Sequence, residues 1–223
     1  MAADKPQLVV LISGSGSNLQ AFIDAIEAGS MDAEIALVIS NRADAFGLQR
    51  AQRASIATAT ILHSDYPSRE AFDQALVAAI DQYRPDAVIL AGFMRILTAG
   101  FVDHYLGRLL NIHPSLLPLY PGLHTHQRAL DNGDRQAGST VHFVTAQLDG
   151  GPAIIQARVA IERADNADTL AARVLRQEHR IYPQATNWLL QGRLVMCGDT
   201  ALLDGQPIAS GGIAVYADQP LPS

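Results

Sequence analysis

Apolar runs alternate with amphipathic segments along the first half of the chain. Short apolar runs bounded by turn residues predict strands at 8–12, 35–40, 58–62, 87–91 and 109–113. Apolar residues at helical spacing predict helices at 18–28, 46–54 and 69–82. Because strand-helix-strand crossovers are right-handed, this alternation predicts an α/β fold: a mostly parallel, twisted sheet with helices on both faces.

The pattern changes in the second half. Two strands are predicted at 139–145 and 154–161, and the turn 148–152 between them indicates an antiparallel addition to the sheet. A long helix is expected at 168–190, which Pro183 should kink or split. A small hairpin at 194–203 and a loose tail at about 206–223 follow. We expect a single domain over 1–223, with halves at about 1–105 and 106–205.

Composition and charge limit the classes of function. With 223 residues, 48% of them hydrophobic, the chain can bury one sizeable core. The formal net charge of −6 argues against a surface for nucleic acid or anionic membranes, so local donors must hold any anionic ligand. The single cysteine, Cys197, allows no internal disulfide and is interpreted as a buried thiol. No apolar run is long enough for a signal peptide or membrane span, so a cytoplasmic protein is expected.

The first candidate site is the segment GSGSN at 14–18, between the first strand and the first helix. Its glycines permit a tight turn, and the free amide groups at a helix start suit a phosphate. Leu19 replaces the third glycine of a dinucleotide fingerprint and no P-loop lysine follows, so a monophosphate fits better. A plain turn with Ser17 or Asn18 as helix cap fits the same residues equally well.

A second candidate site lies at the end of the predicted strand 109–113. Asn111 and His113 are two residues apart and therefore point to the same side, and Pro114 ends the strand at its carboxyl end, where open parallel sheets build their sites. Asn111 can donate to a developing oxyanion, and a charged His113 can do so too or act as an acid. Asp149, in a glycine-rich turn, can approach His113 and hold it protonated. The alternatives are an ordinary strand-end histidine and an ordinary turn aspartate.

The other candidate groups give weaker signals. His124 and His126 form a His-x-His pair that has no third-ligand motif even with His113, so no metal is expected. Arg69 and Arg95 are candidates for anchoring the anionic ends of a ligand, with solvated surface charges as the alternative. Two more histidines are interpreted as structural, namely His142 in a strand and His179 in the last helix.

Five segments together resemble a known family. They are GSGSNLQ at 14–20, AGFMRIL at 91–97, NIHPSLLP at 111–118, GLHTHQRAL at 122–130 and LDGGP at 148–152. With these segments in the same order as in the family, the chain resembles the phosphoribosylglycinamide formyltransferases of purine biosynthesis from about residue 8 to residue 203. The resemblance implies a Rossmann-like formyltransferase fold. It also implies direct transfer of a formyl group, through a tetrahedral intermediate, from the cosubstrate 10-formyltetrahydrofolate to the amine of 5-phosphoribosylglycinamide, without a metal.

The resemblance also implies roles for particular residues. The N-terminal half would hold the ribonucleotide phosphate, and the C-terminal half would carry folate and catalysis. The implied catalytic residues are Asn111, His113, Asp149 and Thr140, the last near a catalytic water. The implied ribonucleotide-binding residues are Gly16, Ser17, Asn18, Leu175, Arg176, Gln177 and Glu178. The implied folate-binding residues are Arg69, Met94, Arg95, Ile96, Leu97, Asn111, Val144, Thr145, Ala146, Gln147, Leu148 and Asp149.

Three other functions are compatible with parts of this pattern. Formyltetrahydrofolate hydrolases share the Asn-x-His core but carry an additional N-terminal regulatory domain, whereas here the predicted catalytic fold begins almost at Met1. Methionyl-tRNA formyltransferases add a basic C-terminal domain, which neither the length nor the charge provides. A noncatalytic nucleotide-binding module is disfavoured by the intact Asn111, His113 and Asp149. The expected partners are the two small-molecule substrates, with no nucleic acid or membrane, in a monomer or homodimer.

Overall fold

A computed structural model describes residues 5–222 and divides the chain into two compact units, Met1–Leu110 and Asn111–Ser223. Each unit is described by itself. The prediction of a single formyltransferase domain over the whole chain stays a prediction. Among the described residues, no helix has the length and apolar character needed to cross a membrane.

The first unit contains a parallel sheet and its connecting helices. Its strands are Gln7–Ile12 (β1), Glu34–Ser40 (β2), Thr58–Thr60 (β3) and Ala87–Leu90 (β4). Its helices are Ser17–Glu27 (α1), Phe46–Arg53 (α2), Arg69–Asp81 (α3) and Ala99–His104 (α4), with a 3-10 turn at His63–Asp65. The strand order is β4-β1-β2-β3, and every pair in it is parallel. Buried apolar residues fill β1 and β4, as expected for strands covered on both faces.

Side-chain caps explain where two helices of this unit, α3 and α4, begin. The Ser68 hydroxyl accepts a hydrogen bond from the backbone N–H of Ala71 at 3.2 Å, so α3 starts where the sequence predicts. Phe72, Leu76 and Ile80 form its buried stripe. The sequence analysis did not predict the short helix α4, which Thr98 caps through the N–H of Phe101.

The second unit carries antiparallel strands and a long helix. Its elements, with β5 starting two residues before the unit boundary, are Leu109–His113 (β5), Thr125–Asp131 (α5), Gln136–Phe143 (β6), Ala153–Ala160 (β7), Ala167–Leu190 (α6), Leu194–Cys197 (β8), Thr200–Leu203 (β9), Gln206–Pro207 (β10) and Ile213–Tyr216 (β11). The strand order is β11-β7-β6-β5, with β6 and β7 antiparallel and β11 parallel to β7. Strands β8, β9 and β10 form a separate antiparallel sheet that includes the predicted hairpin.

Pro183 does not split the long helix. Helix α6 runs without interruption over all its 24 residues, including Pro183, so the predicted split was wrong. A capping box between Asn166 and Thr169 fixes the start of the helix, and Ile181, Tyr182 and Pro183 itself are buried. Burial of this face offsets the roughly 3 kcal/mol that an interior proline costs a helix.

Two predictions for the C-terminal segments were also wrong. Cys197 is exposed, because burial alternates along β8 and the cysteine lies on its exposed side. The tail is not loose over its whole length, since β11 pairs with β7 from Ile213 to Tyr216 and buries Val215. Its apolar, β-branched residues favour this pairing. The last residue of the predicted tail, Ser223, lies outside the described residues.

Candidate active site

Strand β5 brings Asn111 and His113 to its carboxyl end, and Pro114 ends the strand. His113 is buried, and its Nε2 lies 2.9 Å from the carbonyl oxygen of Tyr120. Because a carbonyl oxygen can only accept, Nε2 must carry a hydrogen and donate it. The other ring nitrogen, Nδ1, therefore remains for other partners.

Asp149 lies beside that remaining nitrogen. Its Oδ2 is 3.6 Å from His113 Nδ1, and both side chains are less than one-tenth exposed. The same oxygen accepts a hydrogen bond from the backbone N–H of Gly122 at 2.9 Å, which holds the carboxylate in place. The approach of Asp149 to His113 that the sequence suggested is present, at the distance of an ion pair rather than a hydrogen bond.

His142, interpreted from the sequence as a structural histidine, contacts Asn111. Its Nε2 lies 3.1 Å from Asn111 Nδ2, and its Nδ1 lies 2.8 Å from the carbonyl oxygen of Phe143. Burial lowers the pKa of His142 to about 4, so the ring is neutral at pH 7. The sequence gives no signal for this contact, because it depends on the pairing of distant segments.

Thr140 contacts the proline-rich loop that follows β5. Its fully buried hydroxyl donates to the carbonyl oxygen of Ser115 at 2.7 Å and accepts from the N–H of Leu117 at 3.1 Å. The Gln156 side chain donates to the same hydroxyl at 3.0 Å. With these hydrogen bonds the hydroxyl supports the proline-rich loop that follows β5, and its implied place near a catalytic water stays a prediction. Gln156 is a supporting residue that the sequence analysis missed.

The glycine-rich turn lies in the first unit, at the start of α1. The N-cap is Gly16, with φ of 68°, and no side chain caps the helix, so neither Ser17 nor Asn18 is the cap. A Cβ at Gly16 would lie 2.5 Å from the Cα of Gly47, which leaves no room for a side chain. Arg50, which the sequence analysis missed, donates to the Ser15 carbonyl oxygen at 2.9 Å. The start of α1 thus has no side-chain cap, and backbone amide groups at a helix start are the kind of donor that binds an anion.

Three side chains of the first unit hold the segment 92–98 after β4. Ser13 accepts a hydrogen bond from the N–H of Met94 at 2.7 Å, and Asp73 accepts one from the N–H of Thr98 at 2.6 Å. Arg69 donates to the carbonyl oxygen of Ile96 at 3.0 Å. The side chains of Met94 and Ile96 are each 63% exposed. The fixed backbone with exposed apolar side chains suits an apolar ligand, while Arg95 and Leu97 are half-buried beside it.

The remaining predicted residues lie on a loop and a helix of the second unit. After β6, Val144 and Thr145 are half-buried, whereas the three residues Ala146, Gln147 and Leu148 are exposed. On α6, Gln177 and Glu178 are buried, Leu175 is half-buried and Arg176 is exposed. The Gln177 side-chain oxygen accepts from Arg180 at 2.6 Å, so it is engaged within the protein.

The paired histidines His124 and His126 belong to the start of α5. His124 is the N-cap, with φ of 58°, and burial together with the charge of His113 lowers the pKa of His126. Residues 5–222 contain no group of three or more His, Cys, Asp or Glu side chains that could hold a metal ion.

Comparison with known proteins gives the family. The model of the formyl transferase family matches residues 6–186. The chain belongs to the formyl transferase family. Among members of this family, it is 57% identical to the phosphoribosylglycinamide formyltransferase of Escherichia coli over 207 residues, which is 93% of this chain and 98% of the relative. The resemblance seen in the sequence is thereby confirmed.

Solved structures of the family agree with the fold. A phosphoribosylglycinamide formyltransferase from Coxiella burnetii, in complex with CHES, has a TM-score of 0.91 at 52% identity and covers 95% of this chain and 99% of its own. Glycinamide ribonucleotide transformylase 1 from Symbiobacterium toebii has a TM-score of 0.87 at 45% identity, and the match covers 91% of this chain and 95% of the transformylase chain. The predicted fold class, a mostly parallel Rossmann-like sheet with antiparallel strands in the C-terminal half, is confirmed.

Proposed function

We propose that this chain transfers the formyl group of 10-formyltetrahydrofolate to the amine of 5-phosphoribosylglycinamide, giving formyl-phosphoribosylglycinamide and tetrahydrofolate in de novo purine biosynthesis. The observation that carries the proposal is that Asp149, on the loop between β6 and β7, lies 3.6 Å from His113 at the end of β5, with both side chains buried. Asn111 lies on the same strand as His113. The names of the relatives at 57% and 52% identity support the choice of substrates.

The chemistry needs no covalent enzyme intermediate. The substrate amine attacks the formyl carbon, a C–N bond forms, and the carbonyl oxygen becomes an oxyanion. An N–H of Asn111 and the Nδ1–H of a protonated His113 stabilise that oxyanion. Nδ1 is the nitrogen available for this step, because Nε2 donates to Tyr120.

Collapse of the tetrahedral intermediate then breaks the bond between the formyl carbon and the folate nitrogen. The attacking amine loses a proton and the departing folate nitrogen gains one. Asp149 balances the charge of His113 and assists this proton transfer, which passes through water. Much of the rate enhancement comes from holding the two substrates together in the reactive geometry.

The substrate contacts are part of the proposal. The ribonucleotide phosphate binds the amide groups at Gly16, Ser17 and Asn18, and the rest of the ribonucleotide contacts the α6 residues 175–178. Folate contacts the backbone of 94–97 and the loop 144–149, with Arg69 near its glutamate tail. The exposed apolar side chains of Met94 and Ile96 support the folate assignment. We further propose a cytoplasmic monomer or homodimer that uses no nucleic acid, membrane or metal.

The test follows release of deformylated folate by absorbance, with purified protein and 10-formyl folate, in the presence and absence of the ribonucleotide. We expect product only when phosphoribosylglycinamide is present. Product without it would identify a hydrolase, and no product in either case would overturn the transferase in favour of a binding module. His113→Ala is the control for contaminating activity, since it should reduce turnover by about 10²-fold or more.

A further inference from the structure

The buried imidazole of His142 has only one neutral tautomer that satisfies its surroundings. The carbonyl oxygen of Phe143, 2.8 Å from Nδ1, can only accept, so Nδ1 carries the hydrogen. In a neutral ring the other nitrogen, Nε2, is then an acceptor with its lone pair directed at Asn111, 3.1 Å away.

The ring is kept neutral by its surroundings. The side chain is 1% exposed, and burial is the largest cause of its lowered pKa. The charge of His113 lowers the pKa further, whereas Asp149 and the carbonyl of Phe143 oppose the shift. Burial prevails over these two, and Nε2 stays unprotonated at neutral pH.

An acceptor at Nε2 determines which way the amide of Asn111 faces. If the amide were turned over, its oxygen would meet the lone pair of Nε2, and two acceptors repel each other. The amide must therefore direct one N–H to His142, and its second N–H remains available to the reacting group. The opposite orientation would present the carbonyl oxygen where negative charge develops.

We propose that His142 is a positioning residue that orients the Asn111 amide so that it donates a hydrogen bond to the oxyanion of the transfer reaction. The inference rests on the proposed function, but the tautomer and the amide orientation are properties of the free protein. His142 does not contact the reacting atoms itself. It acts only through Asn111.

The kinetic test compares two substitutions at this position. His142→Leu removes the acceptor and should lower kcat by about 10- to 100-fold, with KM for both substrates within about twofold of wild type. His142→Gln retains an acceptor of similar reach and should stay within about fivefold of wild-type kcat. Ser139→Ala, a buried change on the same strand, is the matched control and should leave kcat unchanged. Equal losses in the leucine and glutamine variants would overturn the proposal.

A double-mutant cycle separates positioning from general packing. In an Asn111→Ala background, His142→Leu should lower kcat no further, because no amide remains to be oriented. A full additional loss in that background would mean that His142 acts by another route, and the proposal would fail.

The tautomer can be tested without any activity. In ¹⁵N-histidine NMR spectra, the signals of His142 are identified as those that disappear in the His142→Gln variant. In the wild-type protein at pH 7, these signals should show a neutral ring with its hydrogen on Nδ1. A ring protonated on Nε2 would overturn the inference even if the leucine variant failed to fold. If the wild-type protein shows no transferase activity but the tautomer is as expected, the proposed function fails while the Asn111–His142 arrangement stands.

Discussion

Asp149 Oδ2 lies 3.6 Å from His113 Nδ1 and also accepts a hydrogen bond from the backbone N–H of Gly122 at 2.9 Å. One carboxylate oxygen therefore anchors the loop after β5 and faces the imidazole. An electrostatic interaction with the imidazole requires the negative charge of Asp149, whereas the hydrogen bond from Gly122 requires only an acceptor. These two tasks can be separated by substitution.

Asp149→Asn removes the charge but keeps an acceptor for Gly122. We expect kcat to fall by about 10²-fold because the carboxylate charge beside the His113 imidazole is lost, while the melting temperature changes little. Asp131→Asn, an exposed carboxylate on α5, is the matched control. Steady-state kinetics and thermal melts of both variants provide the measurement. Near-normal turnover of Asp149→Asn would show that catalysis does not require the negative charge of Asp149.

The sequence predicts the strand that carries His113, but it does not predict every contact of the candidate site. Strand β5 ends at His113 as expected because Pro114 cannot continue a ladder, and the apolar runs of β1 and β4 were recognisable as buried strands. The contact of His142 with Asn111 was not predictable, because the two residues are 31 positions apart and meet only when the sheet forms. The hydrogen bonds of the Thr140 hydroxyl to Ser115 and Leu117 were likewise not predictable, because these residues are distant from it in the sequence.

The backbone at Gly16, in the turn 14–18 that we propose binds the phosphate, leaves no room for a side chain. Gly16→Ala introduces a Cβ 2.5 Å from the Cα of Gly47 at a φ of +68°, so we expect ribonucleotide binding to weaken by about tenfold or more and stability to fall by roughly 1–3 kcal/mol. Gly14→Ala is the matched control, since nothing lies within 4 Å of its Cβ. Calorimetric titration with the ribonucleotide and with a folate analogue provides the measurement. Equal loss of both ligands would indicate misfolding rather than a damaged phosphate site.

His142 makes stability depend on pH. Its pKa is about 4 in the folded protein against an ordinary value of 6.5, so between these values the unfolded chain binds a proton that the folded chain does not. Stability should therefore fall as the pH drops from 6.5 to 4, by roughly 3 kcal/mol from this group, with a contribution of the same sign from His126.

Urea unfolding at pH 7 and pH 4.5 tests this expectation. His142→Gln should lose less stability between the two pH values than the wild-type protein does, because the variant has no imidazole to protonate. Asp165, whose pKa the Arg173 guanidinium lowers to about 2, contributes mainly below this range and equally in both proteins. An unchanged pH dependence in the variant would show that His142 is not the group responsible.

Arg180 connects α6 to the C-terminal segment. Its guanidinium donates to the carbonyl oxygens of Ala217 at 2.9 Å and Gln219 at 2.5 Å, besides the side chain of Gln177. Arg180→Ala should cost about 1–3 kcal/mol and speed amide hydrogen exchange in residues 213–222. Arg176→Ala, an exposed change on the same helix, should leave the exchange unchanged. Slow exchange preserved in Arg180→Ala would mean that the pairing with β7 alone holds the segment.

Strand β11 also protects the chain from other copies of itself. It takes up hydrogen-bonding groups of β7 along one side, and β7 carries the fully buried residues Ile154 and Ile155. Without β11, these groups would form an open, apolar sheet edge, which is a template for pairing with other chains and for aggregation. The residues of β11 lie outside the predicted substrate contacts. By covering the edge of β7, they reduce the tendency of the chain to aggregate.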